Sequence, residues 1–352
     1  INWPLAVRSS SLLEDSHAQP FAGIYATYML PNSDPDPNIR LEQLINAIKL
    51  TYASAYYQSA KAYLSATSNR IEEEKMGVII QQIAGRKYED LFYPDFSGVV
   101  RSINFFPVSH MEYNDGIAYV ALGLGKSIME GQNTLQFSPK YPKILPQLTS
   151  DDFSIKNTQR DCYARDVNNT RPELSVDEGT TLRKENLNRA EKDGTLEMLG
   201  SVYDLENESI RDGIHHNGIR FVSFAHILKD EVFPLSDLLN DILELGKTGL
   251  GSPVEIEFAV NLAKNKNEKH KFYFLQIRPM ISGKELTEID LSETTHSKQL
   301  CSSRHALGNG VIKDIKDIVY VRAKDFNPAN TRTIAEQIGN INTTIKSGAI
   351  YI

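Results

Sequence analysis

Apolar residues recur at three- and four-residue steps across residues 41–66: Leu41, Leu44, Ile45, Ile48, Tyr52, Ala55, Tyr56 and Ala60. That spacing places them on one side of an α-helix. Asn38 stands where a side chain can cap the start of such a helix. Before it, Pro4-Leu5-Ala6-Val7-Arg8 reads as a strand that closes on an arginine. Residues 76–83 read as a buried strand, and 97–106 and 117–122 as further strands separated by turn residues. A polar stretch, about 150–217, is weakly periodic and reads as an insertion or a loop-rich segment. Leu235, Leu238, Leu239, Ile242, Leu243 and Leu245 mark a second helix over 235–246. Residues 254–260 and 272–277 flank a charged loop and predict a β-hairpin.

After Pro279 the composition shifts to Ser, Thr and Glu. A linker is therefore expected over 282–304, after a first domain of residues 1–281. A second domain would begin at 305–352, with strands at Val311-Ile312 and 318–321. No internal repeat or low-complexity tract appears. The fold class predicted is α+β.

Composition narrows the function. The 352 residues are 41% hydrophobic and 24% charged, with a net charge of −7. Nucleic-acid binding needs clustered lysine and arginine, so no nucleic-acid partner is expected. No run of eighteen apolar residues exists, so no membrane helix is expected, nor is a signal peptide at the start. The two cysteines, Cys162 and Cys301, are too few for a disulfide framework and give no metal-binding spacing. A cytoplasmic location follows as the expectation. Ile1 leads almost at once into a strand, and Gly348-Ala349-Ile350-Tyr351-Ile352 is apolar. Both ends read as cuts through folded material, so a fragment is expected; the alternative is a chain with buried termini.

Two clusters can carry chemistry. In the first, Arg8 ends a strand and is followed by Ser9-Ser10-Ser11, Glu14-Asp15 and Phe21-Ala22-Gly23. Glycine lets backbone approach a ligand closely, and a guanidinium presents forked donors to phosphate. Arg8 could equally pair with Glu14 or Asp15. In the second, Glu255 and Glu257 share one face of a strand, as do Gln276 and Arg278 on the return strand. Carboxylates suit Mg²⁺, which bridges protein acids to nucleotide phosphates, and Arg278 could neutralise phosphoryl charge. Cross-strand Glu–Arg pairs on a solvated face are the other reading.

Gly125-Lys126-Ser127 and Gly246-Lys247-Thr248 resemble the end of a phosphate-binding P-loop. That loop needs a glycine five positions before its Gly-Lys pair, and Val120 and Asp241 stand there instead. Both are set aside. His215-His216 reads as surface and His226 as a core histidine.

Taken in order, these blocks resemble the nucleotide-binding domain of phosphoenolpyruvate synthase and pyruvate phosphate dikinase. The blocks are Ala6-Val7-Arg8-Ser9-Ser10 with Glu14-Asp15 and Phe21-Ala22-Gly23; residues 77–84 with Gln81; Ser97-Gly98-Val99; Gly123-Leu124-Gly125 with Gly131 and Phe137; and Glu255-Ile256-Glu257 with Gln276-Ile277-Arg278-Pro279. The resemblance spans roughly residues 4–280. It implies an ATP-grasp-like fold, incomplete at its N-terminus and followed by the start of a further α/β unit. It implies ATP and Mg²⁺ as cofactors. Arg8 and Arg278 would contact phosphates as catalytic residues. Glu255 and Glu257 would hold Mg²⁺ or ribose, supported by Gln276. Ile83 and Ala84 would offer backbone groups to adenine, and Gly23 would sit in the phosphate loop.

Such enzymes pass the phosphoryl group to a histidine on a mobile domain and then to pyruvate, giving phosphoenolpyruvate. That phosphohistidine domain is expected outside this segment, as is the family's early Gly-Gly-Lys. Departures stand at Lys126, where an acid usually follows Gly-Leu-Gly, at Ile103 and Asn104, and at Arg101, which replaces an apolar residue. An ATP-dependent phosphotransferase is one expectation. A non-catalytic nucleotide-sensing module with the same fold is the other.

Overall fold

Asp36 accepts the Asn38 amide at 2.8 Å and Pro37 follows it, opening helix α1 (Pro37–Ala53) in the computed structural model. The cap is thus Asp36 rather than Asn38: proline has no amide hydrogen to satisfy, which suits the first helical position. The structure describes residues 2–11, 25–66, 75–105, 107–108, 111–149, 155–175 and 182–280, with 318–319, 334, 337–338 and 350–351. The chain divides into two compact units, Ile1–Ser282 and Gly283–Ile352. In the second, Ile318–Val319 pairs in parallel with Ile350–Tyr351.

In the first unit, β1 (Leu5–Ser11) lies between β2 (Tyr28–Leu30) and β3 (Met76–Gln82) in an antiparallel sheet. Alternation sorts its side chains: Val7, Tyr28 and Leu30 join Ala47 of α1 in a core, while Ala6 registers with Met29 and Gln81 on the opposite face. The helix expected over 41–66 is two helices, because Tyr57 is extended between α1 and α2 (Gln58–Ala66). Thr51 and Ser54 donate their hydroxyls to the carbonyls of Ala47 and Thr51 at 3.0 and 2.6 Å, the back-bonding that weakens helix continuity.

Next come β4 (Arg86–Tyr88), β5 (Leu91–Tyr93), β6 (Phe96–Arg101), β7 (Ile117–Leu122), α3 (Lys126–Met129) and β8 (Leu135–Phe137). Strand β6 stops short of 106 because the chain turns at Ser102, whose hydroxyl accepts the Val254 amide at 2.8 Å. Beyond it lie α4 (Pro146–Thr149), β9 (Asp161–Asp166), β10 (Leu182–Asn186), α5 (Leu187–Lys192), β11 (Gly200–Asp204) and β12 (Ser209–Asp212).

The polar stretch is therefore largely built structure among its described residues. Cys162, Leu187, Ala190, Leu196 and Leu199 enter the main core. Several of its described charges are engaged: Arg189 bonds Asp90 at 2.8 Å and Asp193 at 2.9 Å, and Arg183 bonds Asp90 at 2.6 Å. The Arg189 bond leads in holding Asp90 down to about 2. Gln159 uses its amide as a strand would, accepting the Leu122 amide at 2.9 Å and donating to the Leu122 carbonyl at 3.1 Å.

The last elements are β13 (Ile219–Val222), α6 (Ala225–Leu228), α7 (Leu235–Leu250), β14 (Val254–Asn261) and β15 (Lys271–Pro279). The largest sheet has the order β15-β14-β6-β7-β8, beside a four-stranded β10-β9-β5-β4 and a three-stranded β12-β11-β13 sheet. One face of the five-stranded sheet is apolar: Val254, Ile256, Phe258, Val100, Ala118 and Val120 pack with Leu235, Leu239 and Leu243 of α7. Burying each such leucine is worth about 1.5–3 kcal/mol. Leu245, expected on that stripe, is 72% exposed. Gly98 is required here, since a Cβ would come within 2.2 Å of the Phe258 ring. No helix among the described residues is long and apolar enough to cross a membrane.

Candidate functional site

A cavity of about 500 Å³ lies against the polar face of the five-stranded sheet. Arg8 and Ala6 come to it from β1, Met29 from β2, Gln81 from β3, and Ser97 and Val99 from β6. Glu257 and Ala259 come from β14, and Ile83 and Ala84 from the turn after β3. The register explains the selection, because Glu257 pairs with Val99 and Ala259 with Ser97. Arg8, Ile83, Ala84 and Glu257 are thus brought together from three separate parts of the chain.

Arg8 reaches across to the hairpin. Its Nη2 donates to Gln276 Oε1 and stands 3.3 Å from Glu257 Oε2. Glu14, Asp15 and Gly23 lie outside the described residues. Gln276 is bonded to Arg8 and is not itself among the residues of the cavity wall.

Glu255 and Glu257 do share one strand face, yet their surroundings differ. Glu255 registers with Arg278 on one side and Arg101 on the other. Arg278 donates to its Oε1 through Nε, at 2.7 Å, and through Nη2. Arg101 donates through Nε to Oε2 and lies 5.6 Å from the Tyr119 ring centroid. Only 6% of Glu255 is exposed. Burial pushes its carboxyl up, but the two guanidiniums outweigh burial and hold it below the usual carboxylate range. Neither Glu255 nor Arg278 lines the cavity.

At the turn after β3, the Ile83 amide donates to the Pro4 carbonyl at 2.9 Å. Ile83 therefore has no amide hydrogen left for a base. A bulge between Glu257 and Phe258 leaves Leu275 outside the pairing. Leu275 turns to the cavity, and its carbonyl accepts the Gln81 side chain at 3.3 Å.

Sequence reasoning missed several wall residues. Tyr25, Thr27 and Met29 all face the cavity, while Ala26, Tyr28 and Leu30 are core. That alternation is visible in the sequence. Leu182 and Lys126 also line it. Lys126 was set aside with the P-loop pattern, and that pattern is indeed not what places it. The Gly-Leu-Gly segment is pinned by Ser97 Oγ donating to the Gly123 carbonyl at 2.8 Å and by the Leu124 amide donating to Tyr163 at 3.0 Å. Gly123 has a positive φ of 82°, and a Cβ there would lie 2.8 Å from the Tyr163 carbonyl oxygen.

A mixed α/β domain with several sheets thus carries a cavity of a size that suits a small-molecule ligand, walled largely by apolar side chains with a few opposed charges. The chain belongs to the family of the pyruvate phosphate dikinase AMP/ATP-binding domain, which it matches over residues 2–299. It is also similar to YvkC of Bacillus subtilis (strain 168), described as an uncharacterized phosphotransferase, at 31% identity over 281 residues. That match covers 78% of this chain and 24% of YvkC, so the chain spans about a quarter of that relative's length.

Proposed function

We propose that the cavity binds ATP with Mg²⁺ between two lobes of an ATP-grasp-like domain. In this proposal the intact protein transfers a phosphoryl group as phosphoenolpyruvate synthase does, by way of a histidine on another domain to a pyruvate-type acceptor. What carries the reading is the meeting of Arg8, Ile83, Ala84 and Glu257 in one cavity between the β2-β1-β3 sheet and the five-stranded sheet.

The donor set fits magnesium in a particular way. Mg²⁺ is usually held by one or two carboxylates plus phosphate oxygens and water. Glu257 is a carboxylate in the wall, whereas both oxygens of Glu255 are engaged by arginines. Among the described residues no group of three or more His, Cys, Asp or Glu is gathered for a metal. Glu257 would hold the ion, with nucleotide phosphates and water completing its shell. When bound, the ion neutralises phosphate charge. Arg8 would release Glu257 and donate to phosphate oxygens, with Gln276 keeping its guanidinium oriented. Arg278 would act from beside the cavity, its position set by Glu255. Ala84 and the Ile83 carbonyl would face adenine.

Calorimetric titration with ATP, with and without Mg²⁺, tests the reading. Micromolar binding that needs Mg²⁺ and weakens in Glu257→Ala is the expected result. No heat of binding in either condition would overturn it.

A further inference from the structure

Lys126 lines the cavity and has no role in the scheme above. Its side chain is 22% exposed. The pinned Gly-Leu-Gly segment fixes where its backbone stands, against the floor formed by Ser97, Gly98 and Val99. The ammonium lies 5.4 Å from the Tyr163 ring centroid and 3.5 Å from Glu130 Oε1. An ammonium carries three donors, and 3.5 Å exceeds a good N–H···O distance.

Glu130 is held mainly by others. Its Oε2 accepts the Tyr163 hydroxyl at 2.8 Å and the Gln132 amide at 2.7 Å. Lys126 is thus held by a ring face and one long ion pair, on a flexible four-carbon stem. Among the described residues, the charged ones of the wall are Arg8, Lys126, Glu130 and Glu257. Arg8 already has two partners in Glu257 and Gln276. Lys126 is the wall cation that can turn to an anion at the smaller cost.

We propose that Lys126 is a specificity-determining residue of the cavity, its ammonium leaving Glu130 to meet phosphate oxygens and so favouring nucleoside di- and triphosphates over nucleosides. The proposal rests on the nucleotide reading of the cavity. It assigns Glu130 as the partner that holds the lysine between binding events, so the two side chains act with opposite sign. Removing Lys126 weakens phosphate binding. Neutralising Glu130 removes a competitor for the ammonium and strengthens it.

The test is calorimetry on the 352-residue chain with adenosine, AMP, ADP and ATP, each with Mg²⁺, for the wild type, Lys126→Met and Glu130→Gln. Lys126→Met is expected to weaken ATP about tenfold, the effect of roughly one good charged contact, and adenosine by less than about twofold. Glu130→Gln is expected to tighten ATP and leave adenosine unchanged. Equal losses for ATP and adenosine in Lys126→Met, or no loss for either, would overturn the proposal. Were Lys126→Met unable to fold, judged by its melting curve, Glu130→Gln decides alone: tighter ATP upholds the proposal, and unchanged or weaker ATP overturns it. A wild-type chain that binds no nucleotide overturns the nucleotide reading first. A wild type that binds ATP beside a Lys126→Met variant of the same affinity overturns only the role of Lys126.

Discussion

Glu255 and Glu257 stand two residues apart on one face of one strand, and their neighbours give them different chemistry. The strands on either side of Glu255 present Arg278 and Arg101; those beside Glu257 present Gln276 and Val99. The first carboxylate is buried and clamped, and the second opens on the cavity with a single guanidinium 3.3 Å away. Register therefore decides which acid anchors the sheet and which can meet a ligand. The residue type is the same in both.

The sharpest way to break this comparison is Glu255→Ala. It leaves two guanidiniums facing each other at a largely buried position, and removing one partner of a buried ionic cluster costs about 3–5 kcal/mol. A melting curve should show that loss. Glu257→Ala should change stability by about 1 kcal/mol or less, as expected of a partly exposed pair. Equal destabilisation by the two variants would mean that both acids are anchors.

Ligand binding should reverse the order. Glu257→Ala is expected to weaken Mg²⁺-dependent ATP binding by about tenfold or more, on the order of 1.4 kcal/mol. Glu255→Gln keeps the size of the side chain and should affect ATP less. Calorimetry on the two variants separates these outcomes. A greater loss of affinity in Glu255→Gln would place the phosphate contact at Arg278 rather than at Arg8.

Acid should sharpen the contrast further. The folded Glu255 carboxyl lies below its ordinary value because Arg101 and Arg278 outweigh the opposing effect of burial. A group with a depressed folded value adds stability above its unfolded value, about 4.3 for glutamate. It gives that stability up as pH falls through the folded value. The wild type should therefore lose more stability than Glu255→Gln between about pH 5 and pH 3, across that unfolded value. Parallel pH profiles in thermal melts would mean the arginines do not stabilise the carboxylate.

How much of this could be read from the sequence divides along the same line. The period of two placed Glu255 and Glu257 on one face, and the strand at Ile117–Leu122 was legible from its apolar run. The partners were not legible. Arg101 meets Glu255 across 154 positions, and Arg8 meets Gln276 across 268. Such contacts depend on which strands become neighbours, and no local pattern carries that. The bulge that turns Leu275 inward is likewise a property of the pairing. The polar stretch misled for another reason. Its strands are only four to six residues long, so single buried positions such as Cys162 and Ala164 vanish among ion-paired neighbours. Lys126 was visible, but only as part of a failed motif; its place in the wall comes from how Gly123 and Leu124 are pinned.

The smallest expected effect tests which arginine makes Glu255 an anchor. Arg101 has a side chain 37% exposed and touches Oε2 only, whereas Arg278 holds Oε1 through two nitrogens and is 17% exposed. Arg101→Leu keeps apolar cover over Tyr119 and leaves the Arg278 clamp in place. Its cost should be about 1 kcal/mol or less, the range of a partly exposed ion pair. The dependence of ATP binding on Mg²⁺ should be unchanged, since one guanidinium still neutralises the carboxylate. Calorimetric titrations at a series of Mg²⁺ concentrations measure this directly. If Arg101→Leu instead bound ATP at several-fold lower Mg²⁺, the freed Oε2 would have become a metal ligand. Arg101 alone would then account for the difference between the two carboxylates.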